Sequence, residues 1–174
     1  MSIKKTKGFY YRLIRATFAR RTLFRFLQNE VCLSLEITGN TLDLGGGPKS
    51  QYYSYLKIKN NTQITYADLY NKSSNIINMD FTKPFPIKDR SFDNVLLMNV
   101  IEHLDNYENC IFETRRVLKQ NGKLYGIVPF LFPVHMVPDD FHRPTESSLE
   151  KSLSNAGFNN IVIKPLGYGR WTAA

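Results

Sequence analysis

Cysteine, tryptophan and histidine are scarce in this sequence: two, one and three in 174 residues. Cys32 and Cys110 stand alone in apolar surroundings, which excludes a disulfide framework and leads us to expect buried free thiols in a reducing compartment. The histidines and cysteines show no metal-ligand spacing, so no metal is expected. No apolar run reaches the roughly 18–20 residues that a membrane span requires. The basic start leads into no clean apolar stretch of the secretory type, and a cytoplasmic protein, at most peripheral at a membrane, is expected. Internal repeats and low-complexity tracts are also missing. Acids are missing from one place in particular. Residues 1–25 contain Lys4, Lys5, Lys7, Arg12, Arg15, Arg20, Arg21 and Arg25 and no Asp or Glu, whereas the remainder carries fifteen bases against fifteen acids. The net charge of +8 therefore belongs to an N-terminal segment and not to the body of the chain.

What is present is one domain's worth of residues, 43% of them apolar, enough for a core without staples. The chain divides into a basic helical segment, 1–36, and an α/β domain, 37–174. Residues 8–30 read as a helix with Phe9, Leu13, Ala16, Leu23, Phe24 and Leu27 on a broad stripe and arginines elsewhere. Such a helix packs on the domain with its arginines solvated, meets anionic lipid or substrate, or, a weaker reading, contacts nucleic acid.

The organising stretch is Thr41-Leu42-Asp43-Leu44-Gly45-Gly46-Gly47-Pro48: a short strand ending in an acid, then a glycine loop, with a helix expected over Lys49–Lys59. Further strands are expected at Ile64–Ala67, Ile76–Met79, Phe92–Met98, Lys123–Val128 and Ile161–Lys164. Helices are expected at Tyr107–Lys119, stopped by Asn121-Gly122, and at 145–157. Pro84 and Pro86 exclude helix from Phe81–Ser91. Alternation of this kind predicts a Rossmann-like, doubly wound, mostly parallel sheet with helices on both faces.

The polar residues fall at telling positions. Asp43, Asp68, Asp80 and Asn99 each close an expected strand, and parallel sheets bind ligands at the carboxyl ends of their strands. Asp68 follows the glycine loop by about twenty residues, the spacing at which an acid meets ribose hydroxyls. The loop has Ser50 where a dinucleotide fingerprint needs its third glycine, and it is not a P-loop either, so NAD and ATP are weakly supported.

Taken in order, these motifs resemble the class I S-adenosylmethionine-dependent methyltransferases, in particular the type 11 group, from Thr41 to Ile163. Leu42-Asp43-Leu44-Gly45-Gly46-Gly47 is similar to that family's first motif. Met79-Asp80-Phe81, with Pro84-Phe85-Pro86 and Ser91-Phe92-Asp93-Asn94-Val95, is similar to the segment over adenine. Asn99-Val100-Ile101-Glu102-His103-Leu104 resembles the motif after the fourth strand, and Glu113 to Leu124 the helix and turn before the fifth.

The resemblance implies S-adenosyl-L-methionine as cofactor. Gly45, Gly46 and Gly47 would lie against its methionine portion, with Asp43 beneath them. Asp68, with Leu69 beside it, would take the ribose. Asp80 and the Phe81 amide would take adenine, and Asn99 would sit near the reacting centre. A family sheet has seven strands, but only eleven residues follow Ile163, and Gly167 to Trp171 make a poor strand. A truncated or unusual C-terminus is therefore expected, with the sheet edge incomplete or completed by a second copy in a homo-oligomer.

Candidates for a catalytic base are His103, His135, Asp140 and His142, the last three in the loop from Phe130 to Arg143 that is the expected acceptor wall. No Asn/Asp-Pro-Pro-Tyr/Phe or Pro-Cys motif follows the fourth strand, which disfavours nucleic acid. The His-x-x-Pro-Asp-Asp-Phe-His-Arg-Pro-Thr stretch is similar to members associated with surface-polysaccharide and lipid-glycan biosynthesis. It implies a small-molecule, sugar or lipid-linked glycan acceptor, with the basic helix at an anionic membrane surface. A non-catalytic binding module of the same fold, and less so an RNA methyltransferase, are the alternatives.

Overall fold

The structure is a computed structural model and describes residues 6–19, 21–71, 73–130, 132–136 and 139–166. After two helices, α1 (Lys7–Phe18) and α2 (Leu23–Cys32), two short strands, β1 (Glu36–Ile37) and β3 (Lys57–Ile58), pair with each other in parallel. The main sheet holds β2 (Asn40–Leu44), β4 (Gln63–Asp68), β5 (Ile76–Asn78), β6 (Phe92–Met98) and β7 (Leu118–Ile127). Its order is β5-β4-β2-β6-β7, and every neighbouring pair is parallel. The two remaining helices are α3 (Tyr107–Val117) and α4 (Glu146–Asn155).

Alternation along the central strands decides which helix covers which face. Leu42, Leu44, Val95 and Leu97 point into a core with Tyr107, Cys110, Ile111 and Val117 of α3, and Leu149 and Leu153 of α4 pack on its edge. The intervening Leu96 and Met98 point the other way, against Cys32, Ile37, Tyr52 and Leu56. Being buried on both faces, β6 reads as an unbroken apolar run, Val95-Leu96-Leu97-Met98. Both cysteines are buried free thiols, as expected. Burial pushes Cys32 up to about 11 and Cys110 up to about 12.

Four expectations about elements need correction. The helix over 8–30 is two helices, because Thr22 caps a new one: its hydroxyl accepts from the Arg25 amide at 3.2 Å. The two then pack as a pair through Phe9, Ala16, Phe26 and Leu27. The helix over Lys49–Lys59 is a single 3-10 turn, Gln51–Ser54, because Tyr52 and Tyr53 both turn back to Asp43 and Lys57–Ile58 are drawn into β3. Helix α3 ends at Val117, four residues ahead of Asn121-Gly122, and β7 begins at once with Leu118 paired to Phe92. Residues 161–166 form no strand: they run along the molecule without ladder bonds, and Leu166 packs beside the α1–α2 pair. The segment Gly167 to Trp171 lies outside the described residues.

In this strand order the chain leaves β2 first towards β4 and β5, then crosses back to β6 on the other side. The carboxyl ends of β2 and β6 therefore flank the switch point where open α/β sheets open a crevice. Register places Leu44 beside both Ala67 and Leu97, and Asp68 beside Asn78, so the strand ends lie level along one edge.

Candidate active site

Gly45 leaves β2 in the left-handed region (φ +75°) while its N–H donates to Ala67 O at 2.8 Å. A Cβ here would stand 2.7 Å from Val100 Cγ2, so only glycine allows the loop to pass so close to the turn after β6. A Cβ on Gly46 would collide with Asp43 Oδ2 and the Tyr52 hydroxyl. At Gly47 there is room: its nearest neighbour is Ile76 Cδ1 at 3.8 Å. Ser50 replaces the third glycine with a closure, its Oγ accepting from the Gly47 amide at 3.0 Å.

Beneath the loop, Asp43 is wholly buried. Its Oδ2 accepts from the hydroxyls of Tyr52 and Tyr53, both at 2.6 Å, while Oδ1 has no hydrogen bond among the described residues. Burial pushes this carboxyl up to about 6 against the pull of the two hydroxyls. Asp43 is thus the anchor of the loop, and the tyrosines cover it.

Asp68 ends β4. Its Oδ1 accepts from the amides of Tyr70 and Asn71, both at 2.7 Å, which turns the carboxylate into the crevice edge beside the exposed Leu69. Asp80, two residues beyond β5, is held by the amide and hydroxyl of Thr82 (3.0 and 2.7 Å) and by Lys83 at 3.1 Å. The Thr82 hydroxyl first, with Lys83 adding, holds its carboxyl below the usual range. Phe81 is buried edge-on against Phe85. Asn99 follows β6 with φ +57° and its amide donating to Ile127 O at 2.8 Å; its side-chain oxygen is buried without a partner among the described residues.

The four candidate bases separate into groups. His103 and His135 come together, ring centroids 4.9 Å apart and edge to face, with His103 Nδ1 against the Asp139 carbonyl. Asp140 is committed to the loop itself. It accepts from the His135 amide at 2.9 Å and forms a two-pronged pair with Arg143, whose guanidinium pulls its carboxyl down to about 2. That leaves it a weak base and a strong fastener. His142 is anchored elsewhere, its Nε2 3.1 Å from the Asp105 carbonyl and its ring on Tyr107.

Three residues of this edge were not singled out from sequence. Tyr52 and Tyr53 lie within the stretch expected as a helix over Lys49–Lys59. Glu102, inside a quoted motif, is fully buried beside His103. A charged residue four places after an apolar strand is the available signal.

Residues 42–126 match the family model of the methyltransferase domain. Over this stretch the chain is similar to the methyltransferase domain. The sheet and its helices have the fold of the class I S-adenosylmethionine-dependent enzymes. Similar solved structures include an S-adenosylmethionine-dependent methyltransferase of Thermotoga maritima (TM-score 0.59, 18% identity, 89% of this chain and 82% of that one). Another is phosphoethanolamine N-methyltransferase 2 of Haemonchus contortus with S-adenosyl-L-methionine (TM-score 0.58, 18% identity, 79% and 38%). An uncharacterized protein of Methanocaldococcus jannaschii is 51% identical over 43 residues, 25% of this chain and 19% of that protein, so the chain spans a small part of that relative.

The sheet edge fits S-adenosylmethionine on its own geometry. Gly45 and Gly46 let the loop pack against Val100, Asp43 and Tyr52 where no Cβ fits, Gly47 leaves room above it, and the Asn99 side-chain oxygen is buried with no partner among the described residues. Asp68 offers a carboxylate already oriented by two amides.

Proposed function

We propose that the protein transfers a methyl group from S-adenosylmethionine to a small-molecule, sugar or lipid-linked glycan acceptor at an anionic membrane surface. The observation that carries the first half is the pairing of a Cβ-intolerant loop with two immobilised carboxylates along one sheet edge. Gly45 and Gly46 would hold the methionine portion, Asp68 the ribose and Asp80 with Phe81 the adenine. Asn99, with its free oxygen, would face the amino-acid end. The bound group supplies an electrophilic methyl; the chain's part is to align an acceptor and exclude water.

The second half rests on α1. Its inner face packs through Phe9 and Ala16, whereas Tyr11, Ile14 and Phe18 are 62%, 56% and 85% exposed, with Arg15 stacked over Tyr11. No acid lies in residues 1–25. Exposed aromatic and aliphatic side chains among cations suit the interface of an anionic bilayer. Arg12 is already paired with Glu30 (2.6 and 2.7 Å) and serves the helix pair instead. No helix among the described residues is long and apolar enough to cross a membrane. The edge also supports a second reading, a nucleoside-holding module without turnover, because a single turn stands where a long helix was expected after the loop.

Calorimetry with S-adenosylmethionine tests the first half. Replacing Asp68→Ala should weaken binding by about 10- to 100-fold, the loss of two charge-assisted hydrogen bonds of roughly 1 kcal/mol or more each. Wild-type affinity in this variant would remove the reading. Binding without methyl transfer to extracted glycolipids would favour the module.

A further inference from the structure

Glu102, His103 and His135 form a cluster that the methyl-transfer reading leaves without a task. The first two sit on the 3-10 turn Ile101–His103, one residue beyond Asn99, and the third comes from the loop after β7. One ligand atom from each lies within 4.8 Å of the others, and Glu102 Oε1 is 3.7 Å from His103 Nε2. Glu102 is fully buried, yet both of its carboxylate oxygens lack a hydrogen bond among the described residues. An ionised carboxylate buried with two empty oxygens costs several kcal/mol unless it takes up a proton or something charged completes it.

We infer that Glu102, His103 and His135 bind a divalent cation of the manganese-to-zinc series. One carboxylate and two imidazoles are the donor set such ions prefer. With ligand distances near ~2.1 Å, donors around one ion stand about 3–3.5 Å apart, so a shift of about an ångström by the loop histidine closes the site.

The surroundings are arranged accordingly. His103 Nδ1 lies against the Asp139 carbonyl, which leaves Nε2 for the ion, and His135 Nδ1 stands 3.3 Å from Asp140 Oδ2. An outer partner such as the Asp139 carbonyl fixes the tautomer and orientation of a metal-bound imidazole. The loop is fastened to the same turn, the Phe141 amide donating to Glu102 O at 2.7 Å. Three protein ligands leave coordination positions open, and the His135 side chain is 34% exposed, so the open side faces the acceptor wall.

The cation's task rests on the proposed methyl transfer. It holds an acceptor hydroxyl, better two vicinal ones, and makes its proton easier to lose. The hydroxyl gives that proton to water, its oxygen forms the new bond to the methyl carbon, and sulfur keeps the electron pair of the broken S–C bond.

The test begins with the metal alone, without S-adenosylmethionine, so that failure of the site is separable from failure of the cofactor reading. The full chain is stripped with chelator and titrated with Co²⁺, read by its visible absorption, with Zn²⁺ as competitor. One equivalent should bind, and Glu102→Gln and His135→Ala should each lower affinity at least tenfold, while His142→Ala keeps the wild-type value. Near-UV circular dichroism establishes that the variants are folded. His135→Ala, on a half-exposed loop position, remains informative if Glu102→Gln does not fold. Adding catechol as a vicinal-diol probe should then shift the cobalt bands. Wild-type affinity in His135→Ala, or no cobalt spectrum, overturns the site. Bands indifferent to catechol overturn the acceptor-holding role.

Discussion

Asp43 offers a test that reads the anchor of the glycine loop without any ligand. It is wholly buried, and burial lifts its carboxyl from 3.8 to about 6. The folded-state value lies above the unfolded one, so the native protein binds the proton more tightly. Stability is then highest when the group is protonated and falls as pH rises from about 4 through about 6, levelling off above. Roughly two units at about 1.4 kcal/mol each make this loss about 3 kcal/mol.

Asp43→Asn keeps an acceptor for the two tyrosine hydroxyls and removes the titration. Its amide nitrogen falls where Oδ1 has no partner, a pH-independent cost of about 1–3 kcal/mol. Urea unfolding of both proteins between about pH 4 and pH 7.5 gives the comparison. Other titrating groups, including the depressed Asp80, Asp93 and Glu113, cancel in the difference. Relative to wild type, the variant should gain about 3 kcal/mol on going from about pH 4 to about pH 7. Tyr53→Phe removes a donor that favours the ionised form and should steepen the wild-type slope. Parallel profiles for wild type and Asp43→Asn would refute the buried, tyrosine-capped carboxylate.

The glycine loop should discriminate between adjacent positions: Gly46→Ala, whose methyl meets Asp43 and Tyr52, should cost about 2–3 kcal/mol in urea unfolding and abolish cofactor binding, whereas Gly47→Ala should be near neutral. Glu113 accepts the Phe85 amide at 2.6 Å and pairs with Arg116, which also donates to the Phe85 and Ile87 carbonyls. Glu113→Ala should therefore cost about 3–5 kcal/mol and loosen the Pro-rich segment, measured by thermal unfolding and by hydrogen exchange at Phe85. Phe18→Asp, on the exposed face of α1, should leave stability within about 0.5 kcal/mol while releasing the protein from phosphatidylglycerol vesicles in co-sedimentation.

The sequence made the sheet legible because its signals were local. The run Phe92–Met98 could only be a strand buried on both faces, and an acid or amide after each strand marked the ligand edge. Helix ends were harder to read. Thr22 is a capping residue inside an otherwise helical pattern, and its backbone competition with the helix outweighed the continuous stripe. After the glycine loop, helical spacing of Tyr52, Tyr53 and Leu56 was overridden by two hydroxyls reaching one buried carboxylate. That contact joins residues close in sequence, but its value depends on how deeply Asp43 is buried. The pairing of His103 with His135 was illegible for a plainer reason. Thirty-two residues separate them, and only the return of the loop onto the Glu102 turn brings them together.

Buried polar atoms without partners are rare in folded proteins because each costs free energy, and their distribution here is uneven. Among the described residues, Asp43 Oδ1, Asn99 Oδ1 and both oxygens of Glu102 belong to the carboxyl edge of β2 and β6, with His135 Nδ1 beside Glu102, whereas Gln28 and Thr114 supply the scattered remainder. A sheet edge that concentrates unsatisfied acceptors is poorly suited to standing empty, since complete burial keeps bulk water from satisfying Asp43 and Glu102. The unpartnered atoms of Asp43, Asn99 and Glu102 are all acceptor oxygens, so what completes them must donate hydrogen bonds or carry positive charge. An ammonium, a sulfonium and a divalent cation meet that requirement; a phosphate does not. This sign preference separates the edge from the phosphate-cradling glycine loops it superficially resembles. It leads to the expectation that S-adenosylmethionine raises the melting temperature, whereas ATP at the same concentration leaves it unchanged.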